Sequence, residues 1–101
     1  MKIGQAIKMI RTRRGLSLTE LSRRSGCSVS YLSMLETGGR QDPTISKVKT
    51  IAQSLNVPIE ILFFLAADKN ELVGIDKDLS AQLATAALEF LRDADEQPSL
   101  I

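Results

Sequence analysis

The sequence predicts an all-α fold, with five short helices followed by one longer amphipathic helix. Three observations support this prediction. Apolar residues recur at helical i, i+3, i+4 spacing along most of the chain. Serine or threonine N-caps precede several of these segments, and glycines follow them. No segment of the sequence shows the sustained apolar–polar alternation that is typical of strands.

The first three predicted helices are short and are separated by glycines. They cover residues 3–14, 17–26 and 28–37. The first carries isoleucines on one face and ends at a glycine, which is a common helix terminator. Ser17 and Glu20 have the spacing of a capping box at the start of the second helix. Two capped helices joined at a single glycine predict a tight helix-turn-helix.

The next two predicted helices complete a compact helical unit. Residues 40–43 form a loop, after which Thr44 caps a fourth helix with a strong apolar stripe that stops near Asn56. Pro58 opens a fifth helix over residues 59–66, and this helix is apolar on nearly all sides. We therefore predict one domain over residues 1–66.

The C-terminal segment, residues 67–101, is predicted to be a dimerisation segment. Residues 68–70 are a polar link, and residues 71–75 fit either a short extended piece or a helix lead-in. Asp76 or Asp78 caps a sixth, amphipathic helix that reaches about Asp93, and the chain end is expected to fray.

Charge is distributed unevenly along the chain. The net charge is +1, but residues 1–49 carry +7 and residues 50–101 carry −6. A basic half joined to an acidic half predicts a surface for a polyanion on one side of the molecule.

Composition excludes several classes of function. Cys27 is the only cysteine and histidine is absent, so neither an internal disulfide nor a Cys/His metal site can form. We expect no metal, no cofactor and no enzymatic activity, because no nucleophile–base pair and no phosphate-binding glycine loop are visible. The first ten residues lack the apolar core of a signal peptide, and the longest apolar run, residues 61–67, is too short to span a bilayer. These features predict a cytoplasmic protein that does not contact a membrane.

Several segments together carry a resemblance to a known family. They are Ile3-Gly4-Gln5-Ala6-Ile7-Lys8, Gly15-Leu16-Ser17-Leu18-Thr19-Glu20-Leu21, Ser28-Val29-Ser30-Tyr31-Leu32-Ser33, Pro43-Thr44-Ile45 and residues 51–57. Over about residues 3–65 the chain resembles the phage-repressor (Cro/cI, or XRE) family, and within it the SinR-like regulators. The resemblance implies a five-helix helix-turn-helix domain that binds double-stranded DNA as a homodimer and regulates transcription.

The third helix is expected to read DNA bases. A major groove accepts one α-helix, so the exposed face of that helix needs small or polar side chains. The resemblance assigns base reading to this helix, and its candidates are Ser28, Val29, Ser30, Ser33 and Met34. Ser28 is also an N-cap, and Val29 is also compatible with a partly buried position.

Phosphate contacts are expected around the third helix. The predicted residues are Arg14, Ser17, Leu18, Thr19, Tyr31 and Arg40, with Arg13, Arg23, Arg24 and Lys47 as further candidates. The start of the second helix offers free N–H groups to a phosphate. The family often has glutamine where this chain has Leu18, so that contact depends on the backbone. Tyr31 fits either a phosphate contact or packing against the second helix.

Two further residue sets have structural interpretations. In the family, the positions of Arg11 and Glu36 form an ion pair between the first and third helices, and we expect the same pair here. Cys27 fits a small apolar residue better than a redox switch.

The sixth helix supplies the candidate dimer contacts. They are Leu79, Leu83, Ala86, Ala87 and Phe90. The alternative is that this helix folds back onto the core of its own chain.

The sequence thus predicts a dimeric repressor that places residues 28–37 in the major groove of a near-palindromic operator. Two alternatives stay open. One is an antitoxin that binds DNA and also a partner protein through the acidic half. The other is a protein-interaction module that has lost DNA binding, which the leucine at position 18 favours and the +7 half opposes.

Overall fold

The described part of the chain contains six α-helices. The computed structural model describes residues 2–40, 42–67 and 76–96, with side chains up to residue 91. The helices are α1 (Ile3–Arg13), α2 (Leu18–Ser25), α3 (Val29–Thr37), α4 (Ile45–Ser54), α5 (Ile59–Ala66) and α6 (Lys77–Glu96). Within these residues all regular structure is helical, which confirms the all-α prediction. The predicted link at residues 68–75 and the predicted frayed end at residues 97–101 lie outside the described residues.

Side-chain caps begin four of the helices. The Ser17 Oγ accepts a hydrogen bond from the Glu20 backbone N–H at 3.0 Å, and Ser28 and Thr44 cap α3 and α4 in the same way. Such caps satisfy N–H groups that have no partner inside the helix. At the start of α6, the Asp76 carboxylate accepts from the Asp78 backbone N–H at 3.3 Å, so Asp76 is the capping residue.

Gly26 and Gly38 end α2 and α3 in the left-handed conformation, with φ values of +77° and +90°. A residue with a Cβ is strained in this region of φ, which explains why glycine terminates both helices. The short α2–α3 connection that results fixes the two helices as a helix-turn-helix.

The core of the domain lies between α1 and the four helices that follow it. Its largest fully buried side chains are Ile7, Ile10, Leu21, Leu32, Leu35, Val48, Ile51, Leu55 and Leu62. Burial of each stabilises the fold by roughly 1.5–3 kcal/mol. Cys27, which is 4% exposed, belongs to this cluster and packs as a small apolar residue.

Helix α6 packs on α1 and α5 of the same chain. Ala87 is 3% exposed, and Leu83, Ala86 and Phe90 are partly buried against the core. Four of the five predicted dimer contacts are therefore engaged within the chain, because the apolar stripe of α6 faces its own domain. Leu79, the fifth predicted contact, stays exposed, and so does Leu88. The dimerisation assignment stays a prediction.

Among the described residues, no single helix is both long and apolar enough to cross a membrane. Helices α4 and α5 meet the length and composition requirements only as a pair, and the pair bends by 111°.

Helices α1 and α3 cross so closely that Gly4 has no room for a side chain. A Cβ on Gly4 would lie 1.7 Å from the Leu35 carbonyl oxygen and 2.5 Å from its carbonyl carbon. Backbone atoms cannot rotate out of the way as the end of a flexible side chain does. In the sequence Gly4 stands out only as part of a motif, because nothing local indicates which helix passes over it.

We predict that Gly4→Ala destabilises the fold by about 2 kcal/mol or more, because the α1–α3 crossing must open to admit the methyl group. Urea unfolding followed by circular dichroism measures this change. Gly39→Ala is the matched control, since a Cβ there meets its nearest atom, the Met34 carbonyl oxygen, at 3.6 Å. The control is expected to change stability by less than about 0.5 kcal/mol. Equal effects of the two substitutions would contradict the steric argument.

Candidate nucleic-acid interface

Helix α3 has one buried side and one exposed side. Leu32 and Leu35 are fully buried, whereas Val29 and Met34 are 41% and 43% exposed. Ser30 is exposed and Ser33 is half-buried on the same side of the helix as Val29 and Met34. The structure therefore brings these four predicted base-reading residues together on one accessible surface.

The remaining polar residues of α3 are partly committed to the helix itself. The Ser28 hydroxyl accepts from the Tyr31 backbone N–H at 3.0 Å, so its oxygen acts as the cap. Thr37 is exposed beside Ser33 and Met34, but its hydroxyl donates to the Ser33 carbonyl oxygen at 2.9 Å. The accessible surface that carries free side chains is thus formed by Val29, Ser30, Ser33 and Met34, which we call the α3 surface.

Two cations lie over one aromatic ring next to α3. The Arg40 guanidinium carbon and the Lys47 Nζ are each 5.3 Å from the centroid of the Tyr31 ring. The Arg40 backbone N–H donates to the Met34 carbonyl oxygen at 3.0 Å, which holds the loop after α3 close to that helix. Cation–π attraction keeps both side chains at this position. We call Tyr31, Arg40 and Lys47 the Tyr31 cluster.

The surroundings of Tyr31 are compatible with both sequence-based alternatives, a phosphate contact and packing within the domain, so its phosphate contact stays a prediction. Tyr31 is half-buried against the core, and its ring faces Arg40 and Lys47. Lys47 was only one of several further phosphate candidates. The sequence does indicate where Lys47 lies. Thr44 is recognisable as an N-cap, and its hydroxyl accepts from the Lys47 backbone N–H, which places Lys47 in the first turn of α4.

Arg14, a predicted phosphate contact, makes contacts within its own chain, and its role toward DNA stays a prediction. Its Nη2 donates to the Asn56 carbonyl oxygen at 3.4 Å, and its guanidinium carbon lies 5.9 Å from the centroid of the Phe90 ring. Its Nε is buried without an acceptor among the described residues. The side chain joins the end of α1 to the turn before α5 and to α6, an environment that depends on contacts distant in sequence.

The start of α2 offers backbone rather than side-chain donors. The N–H groups of Leu18 and Thr19 belong to the first turn, where a helix has no internal acceptors for them. Leu18 is half-buried and packs against the core, so it anchors the helix instead of reaching outward. Thr19 is exposed and supplies a hydroxyl beside these N–H groups.

Glu20 pairs with two arginines on α2. Its Oε1 accepts from the Arg23 Nε at 3.1 Å, and its Oε2 accepts from the Arg23 Nη2 and from the Arg24 Nε, the latter at 2.8 Å. Hydrogen bonds from Arg23 first, and then from Arg24, lower the pKa of Glu20 to about 2. In a full capping box this carboxylate would return to Ser17; it faces the arginines instead, so only the serine half of the predicted box forms.

Arg11 and Glu36 form a bidentate ion pair between α1 and α3. The distances are 2.7 Å from Arg11 Nε to Glu36 Oε2 and 2.9 Å from Nη2 to Oε1. The third arm, Nη1, donates to the Leu16 carbonyl oxygen at 2.7 Å. The two side chains are 12% and 4% exposed, and the hydrogen bonds to Glu36 raise the pKa of Arg11 despite its burial. The pair fixes α3 relative to α1 and to the segment that leads into α2.

No group of three or more metal-binding side chains occurs in the part of the chain that the structure describes. The exposed groups of α3, the Tyr31 cluster and the start of α2 are hydroxyls, backbone N–H groups, cations and the apolar side chains of Val29 and Met34.

A helix-turn-helix family model matches residues 7–62, which is more than half of the chain. The chain belongs to the XRE-type helix-turn-helix family. This confirms the resemblance inferred from the sequence motifs.

Three of the curated relatives of this helix-turn-helix chain are regulators from Bacillus subtilis (strain 168). The HTH-type transcriptional regulator SlrR is 38% identical over 61 residues, which cover 60% of this chain and 40% of SlrR. The HTH-type transcriptional regulator SinR is 37% identical over 60 residues, which cover 59% of this chain and 54% of SinR. The HTH-type transcriptional repressor RghR is 32% identical over 63 residues, which cover 62% and 47% of the two chains.

The chain therefore spans about half the length of the curated relatives it matches. No solved structure matches it significantly.

We predict that Glu36→Gln destabilises this helix-turn-helix domain by about 3 kcal/mol, because it leaves the Arg11 charge buried without its partner. Chemical denaturation measures the change. Glu60→Gln removes an exposed carboxylate from α5 and is expected to have a much smaller effect. A Glu36→Gln protein as stable as the Glu60→Gln protein would show that the pair does not hold α3 in place.

We predict that the Glu20 carboxyl titrates near pH 2 in the folded protein. Its folded pKa lies below the ordinary value of 4.5, so the stabilisation by the two arginines is complete above that pH and is lost as the pH falls toward 2. NMR titration of the side-chain carboxyl carbon measures this midpoint. Replacing Arg23 and Arg24 by glutamine should return the midpoint toward 4.5, and a wild-type midpoint already near that value would contradict the prediction.

Proposed function

We propose that this chain is a sequence-specific DNA-binding transcriptional regulator that acts as a dimeric repressor. One observation carries the proposal: an exposed recognition helix with small side chains is bordered directly by the two cations of the Tyr31 cluster. Base reading and phosphate binding need these two elements next to each other. The names of SlrR, SinR and RghR, which describe transcriptional regulators, agree with this function.

In the proposed complex, the α3 surface enters the major groove. Serine hydroxyls both donate and accept hydrogen bonds, so Ser30 and Ser33 suit the polar base edges of several base pairs. Val29 and Met34 supply apolar contact for a thymine methyl group. Because Leu32 and Leu35 anchor the opposite side, α3 enters as a rigid element.

Phosphates on either side of the groove would bind to two separate sets of donors. Arg40 and Lys47 supply charge on one side, where the Tyr31 ring restricts their freedom before binding. The first-turn N–H groups of α2 and the Thr19 hydroxyl supply the other side. Both sets belong to residues 1–49, which carry a net charge of +7.

A two-fold dimer would place two copies of α3 about 34 Å apart, one turn of DNA, and would select a near-palindromic operator. Exposed apolar side chains that the chain does not use internally support such pairing. They include Phe63 on α5 and Leu79 and Leu88 on α6, with exposures of 44%, 47% and 67%, and Ile45 at the start of α4, which is 71% exposed. The first three lie in the acidic half of the chain, residues 50–101.

The proposal is tested by fluorescence anisotropy with labelled duplex DNA from beside the protein's own gene, compared with a scrambled duplex at several salt concentrations. We expect tighter binding to the first duplex and strong salt dependence for both. The absence of binding to either duplex at low salt would overturn the proposal and favour a protein-interaction module.

Matched variants locate the contacts. Arg40→Ala and Lys47→Ala should each weaken binding to both duplexes and reduce the slope of log affinity against log salt by about 0.9. Lys77→Ala removes the same charge from the exposed start of α6 and should leave the slope unchanged. Ser33→Ala should weaken binding to the specific duplex alone. A Lys77→Ala protein as weakened as the Lys47→Ala protein would place the interface elsewhere.

A further inference from the structure

On α2, the Glu20 carboxylate forms ion pairs with two exposed arginines, Arg23 and Arg24. The side chains of Arg23 and Arg24 are 71% and 45% exposed, and both donate to Glu20, which is 31% exposed. Arg23 uses two of its nitrogens for this contact and Arg24 uses its Nε. Glu20 cancels one of the two positive charges of Arg23 and Arg24, so the three residues together carry a net charge of +1.

These three residues lie on the helix that the proposed complex places against the DNA backbone. In a helix-turn-helix the first helix of the motif, here α2, crosses the DNA backbone, and the second, here α3, enters the major groove. Arg23 and Arg24 lie in the last turn of α2, and a guanidinium donates to phosphate oxygens in the same bidentate geometry as to a carboxylate. Glu20 therefore offers Arg23 and Arg24 the kind of partner that a phosphate would offer.

We propose that Glu20 competes with DNA phosphates for Arg23 and Arg24, and so weakens the sequence-independent, phosphate-based part of DNA binding. This inference rests on the proposed function. Sequence-independent affinity comes almost wholly from cations that replace counterions on the phosphates. An arginine that is paired with Glu20 can replace a counterion on a phosphate only if its ion pair with Glu20 breaks.

Weaker sequence-independent binding matters for a regulator whose specific sites are few among many other DNA sites. Sequence-independent sites outnumber specific ones by orders of magnitude, so the affinity for any duplex decides how much protein stays available for the operator. A carboxylate that weakens this background affinity leaves the α3 surface, and hence base reading, unchanged.

The salt dependence of binding to the scrambled duplex tests the proposal. In Glu20→Gln, the two freed arginines should steepen the slope of log affinity against log salt by up to about 1.8. The variant should bind more tightly than the wild type at 50 mM salt and lose on the order of tenfold more affinity between 50 and 200 mM. The Ser17 cap contacts the backbone N–H of residue 20, so the substitution leaves that hydrogen bond in place. Thermal unfolding verifies that the variant is folded.

Three further variants separate this competition from a general effect of charge. Glu89→Gln changes the net charge equally on the exposed side of α6 and should keep the wild-type slope. Combining Glu20→Gln with Arg23→Gln and Arg24→Gln should remove the added slope. Glu20→Asp keeps the charge on a shorter side chain and should fall between the wild type and Glu20→Gln.

The outcomes are distinct from those of the function test. If the wild type binds neither duplex, the proposed function fails. If the wild type binds but Glu20→Gln has an unchanged slope or a weaker affinity, Glu20 does not compete with phosphates. A slope steepened equally by Glu89→Gln would also overturn the inference, since net charge alone would then explain the result.

Discussion

The close crossing of α1 and α3 is the constraint on which the proposed interface depends. Gly4 lets the two backbones approach, and the Arg11–Glu36 pair fixes their orientation a short distance along the crossing. Arg11 also binds the Leu16 carbonyl oxygen, so one guanidinium joins α1, α3 and the entry to α2. A nine-residue helix such as α3 is marginal in water by itself, which makes its geometry a property of these contacts.

Orientation and stability come from different parts of the domain. A buried ion pair gains little net free energy, because desolvation of both charges offsets their attraction. Nine fully buried aliphatic side chains, each contributing roughly 1.5–3 kcal/mol, supply most of the favourable free energy. The contribution of Arg11 and Glu36 is directional, since a bidentate pair admits one geometry and apolar packing admits several. The core therefore stabilises the domain, and the pair determines how α3 is presented.

Contacts between residues close together in the sequence could be predicted, whereas contacts between distant residues could not. The helix caps at Ser17, Ser28 and Thr44 involve residues three apart, so the sequence shows both partners together. The environment of Arg14 depends on Asn56 and Phe90, which are 42 and 76 positions away, and no local pattern indicates them. The same reason explains why the docking of α6 stayed an open alternative, because an amphipathic stripe fits a second copy as well as its own core.

The distribution of charge shows why a count of cations overstates the surface available to DNA. Residues 1–49 contain ten lysines and arginines, but Arg11 pairs with Glu36, and Arg14 lies under α6 against Phe90. Arg23 and Arg24 are held by one carboxylate. Arg40 and Lys47 instead rest on an aromatic ring, which attracts a cation without neutralising it. The cations of the basic half therefore differ in how far their charge is already neutralised. Arg40 and Lys47 contact a neutral ring and keep their full charge for a phosphate.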